Sequence, residues 1–346
     1  MSRFVGVDLH KKMFTVSFYR DDTREHKLRS YSLKDIESFK KELDKKDVIG
    51  VEAIGNTRYF VEQIKGCVKE VKVINPLQFA VISKSVKKTD KHDAKRIAEF
   101  LSKGMIPEVR QKDKKTVQIT SLAQTRDSLV KLRTVLKNKI HNLLNGYGID
   151  TQREEFSSKQ ALGRVLKCKV DPIVKVELKV IVAQIENLEE GIKELDKELV
   201  EHGKNMEGHE NITSIKGIGE KSGAILLSII GNIDDFSSEK KLAAYFGIVP
   251  RVSQSSETTR YGHITKRGSK LGRTTLVQCT LVAIKYSPYL RAFYEKIKTK
   301  KGSGIAIIAT AKKLLGIIYN TLKNKWVFED FPNFVLKTNQ VTNTLK

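Results

Sequence analysis

Cysteine is scarce: Cys67, Cys168 and Cys279 are the only three in 346 residues. They form no CxxC pair and no Cys/His cluster of metal-ligand spacing, which points to reduced thiols in a cytoplasm. Long apolar runs are missing as well. The most apolar stretches, AILLSII and GIAIIATAKKLLGII, are too short or too interrupted by lysine to span a bilayer, so no membrane role is expected. No charged leader with a long apolar segment precedes the strand-like VGVDLH, and export is not expected. Acidic residues are also in deficit, 40 against 64 Lys and Arg, giving a formal charge of +24 and a pI near 9.7. Such a surplus is what a phosphate-binding surface produces, so nucleic acid is the leading partner. Charge alone does not separate an enzyme from a binder.

The length suffices for two or three domains with a sizeable core. Short apolar runs at 3–9, 13–19 and 26–31 predict three strands, and Leu33, Ile36, Phe39 and Leu43 predict a helix over 33–45. A strand at DVIGVEAIG, a helix from about Thr57, a strand at EVKVIN, a helix after Pro76 and another over DAKRIAEFLSKG follow. This order fits an α/β domain of ribonuclease H-like type over 1–108. From Val174 through Leu178, Ile181, Ile185, Leu188, Ile192 and Leu195 to Leu199, apolar residues repeat at alternating spacings of four and three, the seam of a coiled coil. A similar stripe through Leu129, Leu132, Leu136, Ile140 and Leu143, with reversal signals at Gly146, Gly148 and Asp171-Pro172, predicts a helical hairpin arm within 109–205. This arm serves equally well as a spacer, a dimerisation element or a nucleic-acid-holding element. The last part, 206–346, reads as mostly α-helical, with a basic, loop-rich stretch over 249–273 and helices at 274–285 and 305–323.

Four carboxylates occupy separated elements: Asp8 ends the first strand, Glu52 ends the fourth, and Asp90 and Asp93 open a helix. Three-residue spacing puts Asp90 and Asp93 on one helix face, and the proposed topology lets all four converge. Clustered carboxylates repel unless a cation joins them, and Mg²⁺ or Mn²⁺ with oxygen ligands is the usual solution in phosphoryl transfer. Taken singly, each acid reads first as structural, a strand-end polar residue or a helix N-terminal charge. His10 and His92 read as neighbours rather than ligands.

In SIKGIGEKSGAILL, Gly217 and Gly219 lie between helical stretches as in a helix-hairpin-helix, with Lys216 and Lys221 beside them. Backbone N–H groups there can hold a phosphate, although a tight glycine turn between packed helices explains the glycines as well. Further on, Ser253, Ser255 and Ser256 sit among Arg251, Arg260, Lys266, Arg267 and Arg273. A cationic field suits serine attack on a phosphate, yet serines in such loops also serve as turn formers or phosphate donors.

Together, VGVDLHKK, GVEAIGNT, KTDKHDAKRIAEFL, SIKGIGEKSGAILL and GIVPR…SSETTRYGHITKRGSK resemble the insertion-sequence transposase family numbered one hundred and ten. The resemblance covers nearly the whole chain. It implies an N-terminal RuvC-like DEDD domain, a helical coiled-coil region and a C-terminal transposase domain. It also implies a cytoplasmic recombinase of a bacterial or archaeal cell that joins donor and target duplex DNA under the guidance of an element-encoded bridge RNA, working as a dimer or tetramer. By position, Asp8, Glu52, Asp90 and Asp93 match the metal-binding acids, and Ser255 matches the nucleophile. The family's serine is usually followed by glycine, whereas Ser256 and Glu257 follow here, which makes Ser256 the alternative nucleophile. The rival readings are a metal-dependent, structure-specific endonuclease resembling a Holliday-junction resolvase, and a non-catalytic nucleic-acid-binding protein.

Overall fold

The structure, a computed structural model, describes residues 3–83, 89–151, 156, 158–255 and 258–328. It divides into two units, Met1–Gln111 and Lys112–Lys346.

In the first unit, apolar alternation produces a five-stranded sheet of order β3-β2-β1-β4-β5. Strands β1 (Phe4–Leu9), β2 (Met13–Arg20) and β3 (Glu25–Ser32) form an antiparallel meander. Strands β4 (Val48–Glu52) and β5 (Glu70–Ile74) extend it in parallel from β1. Helices α1 (Ile36–Lys40), α2 (Thr57–Ile64), α3 (Pro76–Ile82) and α4 (Asp90–Ser102) complete the unit. Val5, Val7, Phe14, Val16, Ile49 and Val51 pack one sheet face against Phe39 of α1 and Phe60 of α2. Phe14 meets Phe39 at 5.2 Å and Phe60 at 5.1 Å between ring centroids. Helix α1 is shorter than the apolar spacing over 33–45 predicts, since Leu33–Asp35 forms a 3-10 turn and α1 ends at Lys40. The buried Asp47 carboxylate redirects the chain there, accepting the Asp44 N–H at 2.8 Å and the Arg3 guanidinium at 2.7 and 2.9 Å.

The opposite face lies under α4. Gly6 of β1 and Gly50 of β4 point at this helix, where a Cβ on Gly6 would stand 2.1 Å from the Ala94 carbonyl and one on Gly50 would stand 2.9 Å from Ile97. Ala94, Ile97, Ala98 and Leu101 are the residues α4 buries. Small residues on both surfaces thus let helix and sheet backbones approach closely.

The second unit opens with two long helices, α5 (Lys114–Asn145) and α7 (Pro172–Lys204), with α6 (Lys159–Val165) between them in sequence. They run antiparallel, since Arg126 pairs with Asp196 while Lys139 pairs with Glu177. All eight apolar positions from Val174 to Leu199 are covered, five of them fully. On α5 the expected stripe holds at Leu136, Ile140 and Leu143 but not at Leu132, which is 54% exposed. Arg133 takes its place on the covered side and reaches Glu189 at 3.6 Å. Phe156 and Leu162 pack with Ile140, Leu144, Leu178 and Ile185 at one end of the pair.

The remaining helices are α8 (His209–Thr213), α9 (Glu220–Ile230), α10 (Glu239–Phe246), α11 (Lys270–Tyr286), α12 (Pro288–Lys301) and α13 (Ser303–Lys323). They surround a core that includes Ile215, Leu226, Phe246, Leu276, Leu314 and Ile318. Helix α13 has the length and composition of a membrane span, contrary to the expectation from its lysines, yet Leu314, Leu315, Ile318 and Leu322 are buried in this core. The expected loop over 249–273 is largely a β-hairpin of β6 (Pro250–Ser255) and β7 (Thr258–Ile264). Val252, Thr258, Thr259, Tyr261 and Ile264 are β-formers whose signal the surrounding arginines, serines and glycine obscured.

Candidate functional site

Two features of the first unit bring acids together. In the parallel β1–β4 register Val7 pairs with Val51, so Asp8 and Glu52 are the next residues on adjacent strands. Because side chains alternate, both lie on the Gly6/Gly50 face, the one covered by α4. The buried stripe of α4, continued one turn toward its N-terminus, carries Asp90 and Asp93 over these strand ends. Thr89 caps the helix by accepting the His92 N–H at 3.3 Å, which fixes where that turn begins.

The closest set comprises Asp8, His10 and Asp90, whose donor atoms all lie within 4.8 Å of one another. His10 Nε2 is 3.3 Å from Asp8 Oδ2 and 3.5 Å from Asp90 Oδ2. Glu52 and Asp93 are outside this closest set, with Glu52 half-buried at its strand end. Burial pushes the Asp8 carboxyl above the ordinary carboxylate range. His10 opposes that shift, and the negative charges of Asp90 and Asp93 add to it. Asp8 is only 15% exposed in its side chain, whereas Asp90 is 62% exposed. A desolvated carboxylate facing two others is a donor set that a divalent cation satisfies, because it neutralises the repulsion and replaces lost hydration. The residues present therefore fit such an ion.

Sequence reasoning set His10 aside, yet its ring stands between two of the acids. One sequence signal marks the site more sharply than the acids alone. Both strands carry Gly-Val-acid near their C-terminal ends, at Gly6-Val7-Asp8 and Gly50-Val51-Glu52, and both glycines stand close against α4.

In the second unit, Ser255 ends β6 opposite Thr258, and Ser253 lies opposite Arg260. A Cβ on Gly262 would meet the Arg251 side chain, at 3.8 Å. Directly opposed residues share a face, so Arg251, Ser253, Ser255 and Arg260 lie on one side of the hairpin. Val252 and Tyr261 take the other side, 56% and 72% exposed. Lys266 and Arg267 are not near Ser255, because the Lys266 N–H donates to the Gly247 carbonyl at the hairpin base. With seven residues in β7, that base is roughly 20 Å along the strand from Ser255. Arg273 donates to the carbonyls of Phe246 and Gly268, holding the same base. Ser256 falls outside the described residues.

The glycine turn lies between α8 and α9. Gly217 adopts φ +111, and a Cβ there would be 2.7 Å from the Ala283 nitrogen, so glycine is required by close packing on α11. Gly219 precedes α9 and, with Lys216, is exposed. Lys221 donates to Asp196 at 2.8 Å, sharing that carboxylate with Arg126.

Residues 5–149 match a DEDD transposase family model of the IS110 group, and residues 209–295 match the family described as Transposase IS116/IS110/IS902. The two follow one another along the chain and together span about two thirds of it. The chain belongs to the IS110/IS116/IS902 family of transposases. It is similar to the transposase for insertion sequence element IS1111A of Coxiella burnetii, 28% identical over 79% of this chain and 76% of that protein. It is also similar to the transposase for insertion sequence element IS1328 of Yersinia enterocolitica, 27% identical over 81% of this chain and 85% of that one. The pilin gene-inverting protein of Moraxella lacunata is 26% identical over 75% of this chain and 74% of its own length. In this transposase the acid cluster and α4 fall within the DEDD match, while the glycine turn, the hairpin and α11 fall within the second. The family match and the acid cluster together point to dependence on a divalent metal.

Proposed function

We propose that this transposase cuts and rejoins donor and target duplex DNA, with Asp8, Glu52, Asp90 and Asp93 holding Mg²⁺ or Mn²⁺ and Ser255 attacking the phosphodiester. The observation that carries this reading is the meeting of Asp8 and Asp90 at the strand ends beneath the first turn of α4. Ribonuclease H-like topology accounts for that meeting, since the central strand and its parallel neighbour both finish there. A bound divalent ion in such a site lowers the charge of the reacting phosphate and steadies the leaving oxygen.

Ser255 stands at the exposed end of β6, which supports its assignment as the attacking group. Its Oγ forms a bond to phosphorus, the bond to the sugar oxygen breaks, and the serine proton ends on that leaving oxygen. The phosphodiester energy is thereby stored for rejoining rather than lost to water. Arg260, two residues beyond the residue opposite Ser255 and on the same face, is assigned to the phosphate that Ser255 attacks. Arg251 sits farther along that face, where it holds the flanking backbone.

Lys266, Arg267, Lys216 and the Gly217–Gly219 turn are assigned to nucleic-acid backbone contacts, with Lys221 contributing only when it leaves Asp196. The α5/α7 pair is read as a coiled-coil arm that assembles a dimer or tetramer and helps hold a bridge RNA; the surplus of 24 positive charges suits both nucleic acids.

Purified protein with Mg²⁺, the RNA from the element's flanks and labelled donor and target duplexes should give protein-linked DNA on denaturing gels. Ser255→Ala and Asp90→Ala should each abolish that adduct. Metal-dependent nicks that survive Ser255→Ala without an adduct would replace the serine mechanism by that of a nuclease. Behaviour indifferent to both changes and to metal removal would leave a binding protein.

A further inference from the structure

We propose that His10 is itself a ligand of the N-terminal metal, supplying a nitrogen that makes this site prefer Mn²⁺ to Mg²⁺. The proposal rests on the metal-site reading above and adds to it a residue outside the four acids.

The case begins with geometry. Octahedral ligand atoms on bonds of roughly 2.1 Å are about 3 Å apart when adjacent and about 4.2 Å apart when opposite. His10 Nε2 lies 3.3 Å from one oxygen of Asp8 and 3.5 Å from one of Asp90, and all three donor atoms fall within 4.8 Å. These separations already approximate three positions around one ion, so binding needs only small side-chain movements. Glu52 and Asp93 do not belong to this mutually close set of donor atoms, whereas the imidazole does.

The second observation is how His10 is held. It follows β1 in the turn to β2, where its N–H donates to the Met13 carbonyl at 2.9 Å. The Asn56 side chain, just before α2, donates to the His10 carbonyl at 3.0 Å. A residue needed only for solubility in a hairpin turn requires no such support from a second element. These contacts fix the His10 backbone on both sides, and from it the ring reaches Asp8 and Asp90 at the strand ends.

The chemistry then sets the preference. Mg²⁺ takes oxygen donors and keeps its waters, whereas imidazole nitrogen suits first-row transition ions. A site of carboxylates with one imidazole therefore gains more from Mn²⁺ than from Mg²⁺. The competing arrangement is a His10 that bridges Asp8 and Asp90 only in the metal-free protein and is expelled when metal arrives, and it predicts no metal–nitrogen bond.

Pulsed electron paramagnetic resonance of Mn²⁺ bound to the full chain distinguishes these, because a directly bound imidazole nitrogen couples to the electron spin. The expected result is nitrogen coupling in the wild type, its loss in His10→Gln with Mn²⁺ still bound, and its persistence in His92→Gln. Titrations should show the ratio of Mn²⁺ to Mg²⁺ affinity falling by at least about tenfold in His10→Gln, a change that loss of even an outer-shell partner can reach. His10 is 55% exposed in its turn, so the variant should fold. Bound Mn²⁺ without nitrogen coupling, coupling that survives His10→Gln, or an unchanged affinity ratio would overturn the proposal while leaving the acid site standing. Absence of any Mn²⁺ binding that depends on Asp8 and Asp90 would remove the metal-site reading and this proposal with it.

Discussion

Replacing Gly6 by alanine adds one methyl group where the structure has no room for it. The new Cβ would stand 2.1 Å from the Ala94 carbonyl oxygen and 2.5 Å from the Ala98 nitrogen, both backbone atoms of α4 that cannot swing aside. Restoring ordinary contact requires helix and strand to separate by about 1 Å, and the overpacking should cost about 1–3 kcal/mol. The same displacement acts on Asp90 and Asp93 in the first turn of α4, whereas Asp8 stays on its strand. Ligand sets tolerate roughly 0.5 Å of error, so the variant should lose most of its divalent-metal affinity and about 100-fold in strand cleavage while remaining folded. Gly163→Ala is the matched control, since nothing lies within 4 Å of its added Cβ and its helical backbone favours alanine. It should be neutral or slightly stabilising. Calorimetric metal titration and thermal melts of both variants test this directly. Wild-type metal affinity in Gly6→Ala would refute the argument that close approach of α4 sets the ligand geometry.

Two further expectations concern the second unit. Burial alone would raise the Asp196 carboxyl, but Arg126 and Lys221 more than reverse this, so its folded value lies below the ordinary one. Its contribution is thus complete above the unfolded value near 4 and disappears as pH falls through the folded value. Asp196→Asn should lower stability at pH 7 by about 1 kcal/mol or less, given its partial exposure, with the gap in melting temperature closing as pH falls through the folded value. Asp113 caps the 32-residue α5 through the Thr116 N–H at 2.9 Å and also accepts the Thr116 hydroxyl. Asp113→Ala should cost about 1 kcal/mol, a fall of about 2–4 °C in the melting temperature of this unit, and an unchanged melt would argue against the cap.

The strand order and most helix positions were legible because apolar periodicity carries them. Val5, Val7, Phe14 and Val16 alternate along strands, and Val174 to Leu199 keeps a seam that the fold covers throughout. Leu132 shows the limit of that signal: Arg133, half-buried and paired with Glu189, takes the covered side while Leu132 faces out. The hairpin was hidden for another reason. Its residues alternate between two exposed faces, so no apolar period announces the strands, and the turn-forming serines dominate the reading. Asp8 and Asp90, which the structure brings together, stood out from their topological slots, but His10 did not. Its approach to Asp90 joins residues eighty positions apart, and no local spacing encodes that.

The exposure of the hairpin sets the chain's two chemical regions on different evolutionary footings. Every residue of β6 is solvent-exposed, so changes at Ser253 or Ser255 remove no packing and leave a folded protein. Gly6 and Gly50 are different, since their replacement disturbs the sheet as well as the ligand set. Under the serine mechanism proposed above, drift at Ser255 should therefore yield silent, well-folded copies that still bind DNA. Drift at the glycines should yield copies that are destabilised as well as altered at the acid cluster.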